Sequence, residues 1–284
     1  MNKLLFLALT AGCGVAWAQT PATNPMPDGS RDMYVGLGVQ SAPRYEGADG
    51  HKVSALPVLQ VQWSNGLFIS GMSAGWHLSD DPTFEFGPLA AVHRSRDDDG
   101  AGTEIGGVGV TDFASGIPSP IDKRQIPVAP LSGMDKIGAR LQAGAFANYY
   151  LNPRWRVTSS VLFGAGKDRD GARLELGVQR LAVVDNARHR VSLAAGVTVV
   201  NRHYNDSYLG VSQEESLRSR FPYYEAAGGL HDAHVGVRWN WTLSPSWMLT
   251  TNVQTARLLG SARYSPLVER SANTTVSTAI ALRF

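Results

Sequence analysis

Residues 233–243 read "AHVGVRWNWTL". Ala233, Val235, Val237, Trp239, Trp241 and Leu243 share one parity; His234, Gly236, Arg238, Asn240 and Thr242 share the other. Successive side chains of a strand point to opposite faces, so this spacing predicts a strand with one apolar and one polar face. The polar face carries Arg238 and Asn240 at mid-strand. A soluble sandwich would turn the apolar face inward and a membrane barrel would turn it outward, and alternation by itself does not choose between them.

The same pattern recurs along the chain. "SWMLTTNVQTARL" sets Trp247, Leu249, Thr251 and Val253 against Met248, Thr250, Asn252 and Gln254. "VSLAAGVTVV" and "ARLELGV" alternate in the same way over 191–200 and 172–178, and "NTTVSTAIALRF" does so over 273–284. Further strands are expected at 33–40, 53–63, 67–76, 84–94, 138–150 and 155–165. Many of these segments are near the ~9–11 residues that a tilted strand needs to cross a bilayer. Soluble strands are more often about 5–6 residues long. Arg140, Gln142, Arg173, Glu175, Arg238 and Asn240 sit on polar faces, where a solvated barrel interior accommodates them. Tyr149, Tyr150 and Trp155 flank "LNPR", and Trp239, Trp241 and Trp247 flank "LSPS", as interfacial aromatic girdles do.

The fold class expected is therefore all-β: a transmembrane antiparallel outer-membrane β-barrel of about 12 strands, with ten as the alternative count. Eleven strands are clear, and residues 102–113, "GTEIGGVGVTDF", are expected to supply the twelfth. The short links "LNPR", "DNAR" and "LSPS" all fall on one side. The links 97–137, 205–228 and 260–273 are long, as outer loops are, and "GKDRDG" is a short exception. In lipid an open sheet edge leaves backbone groups unpaired, so the terminal strand is expected to pair with the first.

Residues 1–18 read as a secretory signal peptide: Lys3 heads an apolar stretch that ends in the small-x-small site Ala16-Trp17-Ala18. Leu9 lies one place too far upstream for a lipobox around Cys13, so cleavage after Ala18 is the reading taken. The mature chain then has no cysteine and no disulfide. Residues 19–31 read as a flexible periplasmic leader, and 32–284 as the barrel. A formal charge of +2 without a basic block argues against nucleic acid as a partner.

No catalytic, cofactor-binding or metal-binding residue is assigned, and no cofactor. "RDDDG" (96–100) lacks the ligand spacing of a calcium loop and reads as a solvated turn. No serine lies in a nucleophile motif beside His231 or His234; His234 reads as lumen-facing and His231 as a loop residue. His203 and His231 are too scattered in sequence to argue for a metal site. Tyr204, Tyr208, Tyr223 and Tyr224 read as packing onto the barrel rim, or else as a recognition surface. The lumen arginines are expected to pair with Glu85 and Glu175.

The ordered series "GLGVQSAPRYEGAD", "SRDDDG", "YNDSYLGVS", "PYYEAAGG", "RLLGSARYSPLVE" and "LRF", spread over 36–284, resembles the MipA/OmpV family of outer-membrane proteins. The resemblance implies a non-enzymatic barrel in the Gram-negative outer membrane, in contact with its lipid and lipopolysaccharide. It implies a scaffold linking a murein lytic transglycosylase to a penicillin-binding protein; a small pore or permeability protein, or an adhesin, is the alternative. Phe284 resembles the C-terminal signal read by the barrel-insertion machinery.

Overall fold

Alternation of this kind yields strands whose two faces meet different solvents. The computed structural model describes residues 31–79, 81–101, 129–184 and 188–284. Its strands are β1 (Arg31–Pro43), β2 (His51–Trp63), β3 (Leu67–Ser70), β4 (Ser73–Trp76), β5 (Phe84–His93), β6 (Arg96–Asp97), β7 (Gly100–Ala101), β8 (Arg140–Asn152), β9 (Trp155–Ala165), β10 (Gly171–Val184), β11 (His189–Val200), β12 (Gly229–Thr242), β13 (Trp247–Leu258) and β14 (Ala272–Arg283). Twelve of them close one antiparallel barrel, in the order β1-β14-β13-β12-β11-β10-β9-β8-β5-β4-β3-β2, while β6 and β7 form a separate hairpin. Among the described residues no helix is long and apolar enough to span a membrane; the crossing is made by strands.

The apolar parity faces outward. Leu37, Val53, Leu141, Phe163, Val235 and Val237 are exposed, whereas Gln142, Arg238 and Thr198 on the other parity are buried. This inversion of a soluble protein places the chain in the outer membrane. Tyr149, Trp155 and Trp247 lie exposed at the short-turn end. Trp239 and Trp241 stack there at 5.9 Å between ring centroids. Tyr150 does not join this girdle. Its parity turns inward, and its hydroxyl accepts a hydrogen bond from Arg156 at 3.2 Å.

The last strand closes on the first: β14 pairs with β1 from Tyr34↔Arg283 to Ser41↔Val276. The close approach needs glycine. A Cβ on Gly38 would run into the Thr278 backbone carbonyl, and one on Gly36 into that of Ile280. Leu56, Val58, Ala279 and Ala281 fill the lumen at this corner.

The twelfth strand has a different source from the one the sequence suggests. Segment 67–76 is not one strand but two. Gly71, at φ +56, starts a two-residue turn, and Ser70 then pairs with Ser73. β5 pairs directly with β8, so residues 102–113 are not needed to complete the twelve; they lie outside the described residues.

The short β3–β4 hairpin leaves a step in the wall. β2 meets β3 only from Gln60 to Gln62. Residues 51–58 have no neighbour on that side among the described strands. The Leu59 carbonyl accepts from Gly71, so Pro57, two residues earlier, turns its missing N–H toward the same edge. Pro88 of β5 likewise turns toward β4, since the Phe86 carbonyl accepts from Leu78. Proline suits the open edge at Pro57 because no ladder donor is demanded there, whereas Pro88 lies within the β4–β5 pairing and leaves one donor out of it.

Candidate functional site

The long links fold over the barrel mouth opposite the short turns. α1 (Arg202–Leu209) begins at Asn201, whose side chain accepts from the Tyr204 amide. α2 (Gln213–Arg218) begins with a capping box between Ser212 and Glu215. Tyr204, Tyr208 and Leu209 pack with Ile137, Val200 and Leu258 at the barrel rim. A second cluster joins Tyr45, Leu131, Met134, Val211, Phe221 and Leu267 from four separate links. These contacts make a folded cap rather than independent loops.

Polar anchors fix the cap. Glu215 Oε1 accepts from the Asp135 amide and from Lys167 Nζ, each at 2.9 Å. Its Oε2 accepts from the Ser212 amide at 2.8 Å. Burial would raise this carboxyl, but these hydrogen bonds and the Lys167 charge outweigh it and bring it to about 2. Asp135 also takes an ion pair from Arg218. The "RDDDG" turn is more than a solvated loop: Arg96 is buried, and its Nη1 donates to the Tyr208 carbonyl at 2.6 Å. The acidic side chains after it stay at the surface, Asp98 lying 3.7 Å from Lys136.

Beneath the cap lies a cluster of ionisable groups. Nδ1 of His231 is 2.8 Å from Asn205 Oδ1, and its Nε2 is 2.7 Å from Glu46 Oε1. Asp232 approaches His234 Nδ1 at 2.9 Å. Arg173 donates to Glu175 at 2.6 Å. His93 approaches the Tyr204 hydroxyl at 3.0 Å. Gly196 faces His234 across the β11–β12 ladder, and a Cβ there would lie 2.6 Å from the imidazole Nε2. Glu46 belongs to the β1–β2 link, and its carboxyl is held below the ordinary range. Burial acts against that shift, and the charge and hydrogen bond of His231 outweigh it.

Two sequence expectations are revised here. His231 is not a loop residue but lies near the start of β12, buried at 1% exposure. The expected pairing of lumen arginines holds for Glu175 with Arg173 only in part of the set. Glu85 receives Asn148 at 3.2 Å. Arg156 donates to Gln179, and Arg140 reaches up to the Gly166 and Lys167 carbonyls. His234 faces the lumen as expected. Tyr204 and Tyr208 pack inward on the rim, whereas Tyr223 is exposed. Glu46, Asn205 and Asp232 carry no local motif; their proximity is made by barrel closure and by a bulge in β12.

The lower lumen is polar and narrow. Phe68, His77 and Phe146 form one ring cluster, with centroids 4.7–5.7 Å apart. Gln40 Oε1, Ser54 Oγ, Gln60 Oε1, Gln142 Nε2 and Asn252 Oδ1 are buried without a hydrogen-bond partner among the described residues. Buried polar atoms of this kind mark the interior as polar rather than as an apolar core.

The chain is similar to known outer-membrane proteins. The outer membrane protein Omp26La of Vibrio anguillarum is 26% identical over 154 residues, 54% of this chain and 58% of that protein. OmpV of Vibrio cholerae is 25% identical over the same shares. The chain thus spans less than two thirds of the length of the curated relatives it matches. Among solved structures, the translocator domain of the autotransporter NalP from Neisseria meningitidis covers 89% of this chain and 88% of its own, at TM-score 0.48 and 11% identity. The NanC porin covers 89% and 100%, at TM-score 0.44 and 8% identity. The family model described as "MltA-interacting protein MipA" matches residues 35–284. That match takes in the pairing strands β1 and β14, the cap and the cluster beneath it, and the chain belongs to the MltA-interacting protein MipA family.

Proposed function

We propose that this barrel is a non-enzymatic scaffold of the cell envelope, presenting its periplasmic end to a murein lytic transglycosylase and a penicillin-binding protein. The observation that carries this reading is the cap. Its two apolar clusters and the Arg96 and Glu215 anchors cover the outer mouth, an arrangement unlike that of a freely open channel. The interaction named in the family description supports a periplasmic partner. On this reading a partner meets the turns "LNPR" and "LSPS", together with "DNAR" and the leader at 19–31, which lie almost wholly outside the described residues. Several weak contacts used together would give useful avidity. Affinity capture from gently solubilised envelopes tests the reading. A lytic transglycosylase or penicillin-binding protein should be retained by the full chain, and less of it after deletion of residues 20–29.

A second reading, a small permeability protein, is favoured by the polar side chains that line the lumen. Steady conductance of purified barrels in planar bilayers, with no murein enzyme captured, would make it the better one.

A further inference from the structure

The β11–β12 ladder breaks register once. Thr198 pairs with Asp232 and Val199 with Leu230, so His231 is the extra residue of a bulge. A bulge re-aims side chains. Here it turns two consecutive residues inward, and His231 and Asp232 are 1% and 8% exposed. Strict alternation would have sent one of them to lipid. The β1–β2 link then brings Glu46 to the same point. One ligating atom from each of Glu46, His231 and Asp232 lies within 4.8 Å of the others.

The surroundings orient the imidazole. Asn205 Nδ2 donates to the Ala227 carbonyl at 2.6 Å and to Ser261 Oγ at 3.1 Å. Its Oδ1 is therefore the acceptor, and it takes the Nδ1–H of His231. Metal-bound histidines are oriented in this way by a second acceptor. Nε2 then faces the Glu46 carboxylate at 2.7 Å, where a proton or a metal ion can join the two. Asp232 is steadied in turn by His234. Three carboxylates, those of Glu46, Asp232 and Glu175, surround this point against the one guanidinium of Arg173. That excess of carboxylates favours a cation at this point.

We propose that Glu46, His231 and Asp232 bind a divalent first-row transition cation of the zinc type beneath the cap. One imidazole nitrogen and two carboxylates suit such an ion, with a position left for water. Ligands at ~2.0–2.2 Å from zinc lie at most about 4 Å apart, so a small rotation of the partly exposed Glu46 closes the set. The ion would tie the first outer link to β12 and, through Asn205, to α1.

The test uses the full mature barrel, refolded in detergent, stripped with chelator and titrated with zinc chloride by calorimetry, with magnesium as the hard-cation control. One equivalent of zinc and no magnesium should bind. His231→Gln, Glu46→Gln and Asp232→Asn should each weaken zinc binding at least ~10-fold, while His203→Gln should leave it unchanged. Heat-modifiable migration on gels confirms that each variant is folded. Cobalt absorption of the unaltered protein gives a readout that needs no variant: d–d bands of a nitrogen- and oxygen-ligated site should appear at one equivalent. If the unaltered barrel binds no stoichiometric zinc and gives no cobalt bands, a proton on Nε2 is the cation between His231 and Glu46, and the proposal fails. It fails equally if folded His231→Gln binds zinc as tightly as the unaltered protein.

Discussion

Lys167 Nζ and Glu215 Oε1 meet at 2.9 Å, joining the β9–β10 link to α2 across 48 residues of sequence. The Glu215 side chain is 1% exposed and that of Lys167 31%. A buried carboxylate with three donors holds one arrangement of the cap and is costly to leave unpaired. The cap should therefore respond to acid at this residue.

The Glu215 carboxyl has an ordinary value of 4.5 and is brought to about 2 in the folded cap. A depressed carboxyl adds stability that is fully present above its unfolded value and lost as pH falls through the folded one. Hydrogen exchange of residues 202–218 should stay slow at pH 5 and accelerate as pH is lowered from about 4.5 toward 2. The barrel strands should remain protected. Glu215→Gln should remove that acid response and raise exchange in the cap already at neutral pH.

Arg96 donates to the Tyr208 carbonyl from a buried position. Arg96→Ala leaves that carbonyl unsatisfied, at a cost of about 1–3 kcal/mol. Limited proteolysis should then cut within 202–228 faster than in the unaltered protein, with the barrel core intact. Equal cleavage rates would show that the apolar clusters alone hold the cap.

Val237 is 43% exposed on the outer face and Arg238 is 5% exposed on the inner one. Val237→Arg should cost ~2–4 kcal/mol in folding into vesicles if the residue lies near the bilayer middle. Arg238→Gln keeps a polar group in the lumen and should cost less. Denaturant titration of both variants measures the difference, and equal costs would contradict the assigned faces.

Gly38 packs against the Thr278 backbone at the closing seam. Gly38→Val should block pairing of β1 with β14 and abolish the fast-migrating folded form on unheated gels. The same change at the lipid-facing position, Leu37→Val, should leave that form in place.

The sequence by itself determined the barrel. Parity decides which side chains share a face, and long strands with arginine and glutamine inside can only be a wall between lipid and water. The faces of 233–243, the pairing of the terminal strand with the first, and the split between short turns and long links all follow from that local period. Tertiary structure decided the rest. The two-residue turn at Gly71 made two strands where alternation runs through as one, because glycine fits both a strand and a turn. The helices of 202–218 gain their stability from packing on the rim, a property no local pattern carries. The Glu46–His231–Asp232 cluster depends on barrel closure and on one extra residue in β12. A bulge changes parity without changing composition, so His231 could turn inward only once its neighbouring strand had set the register.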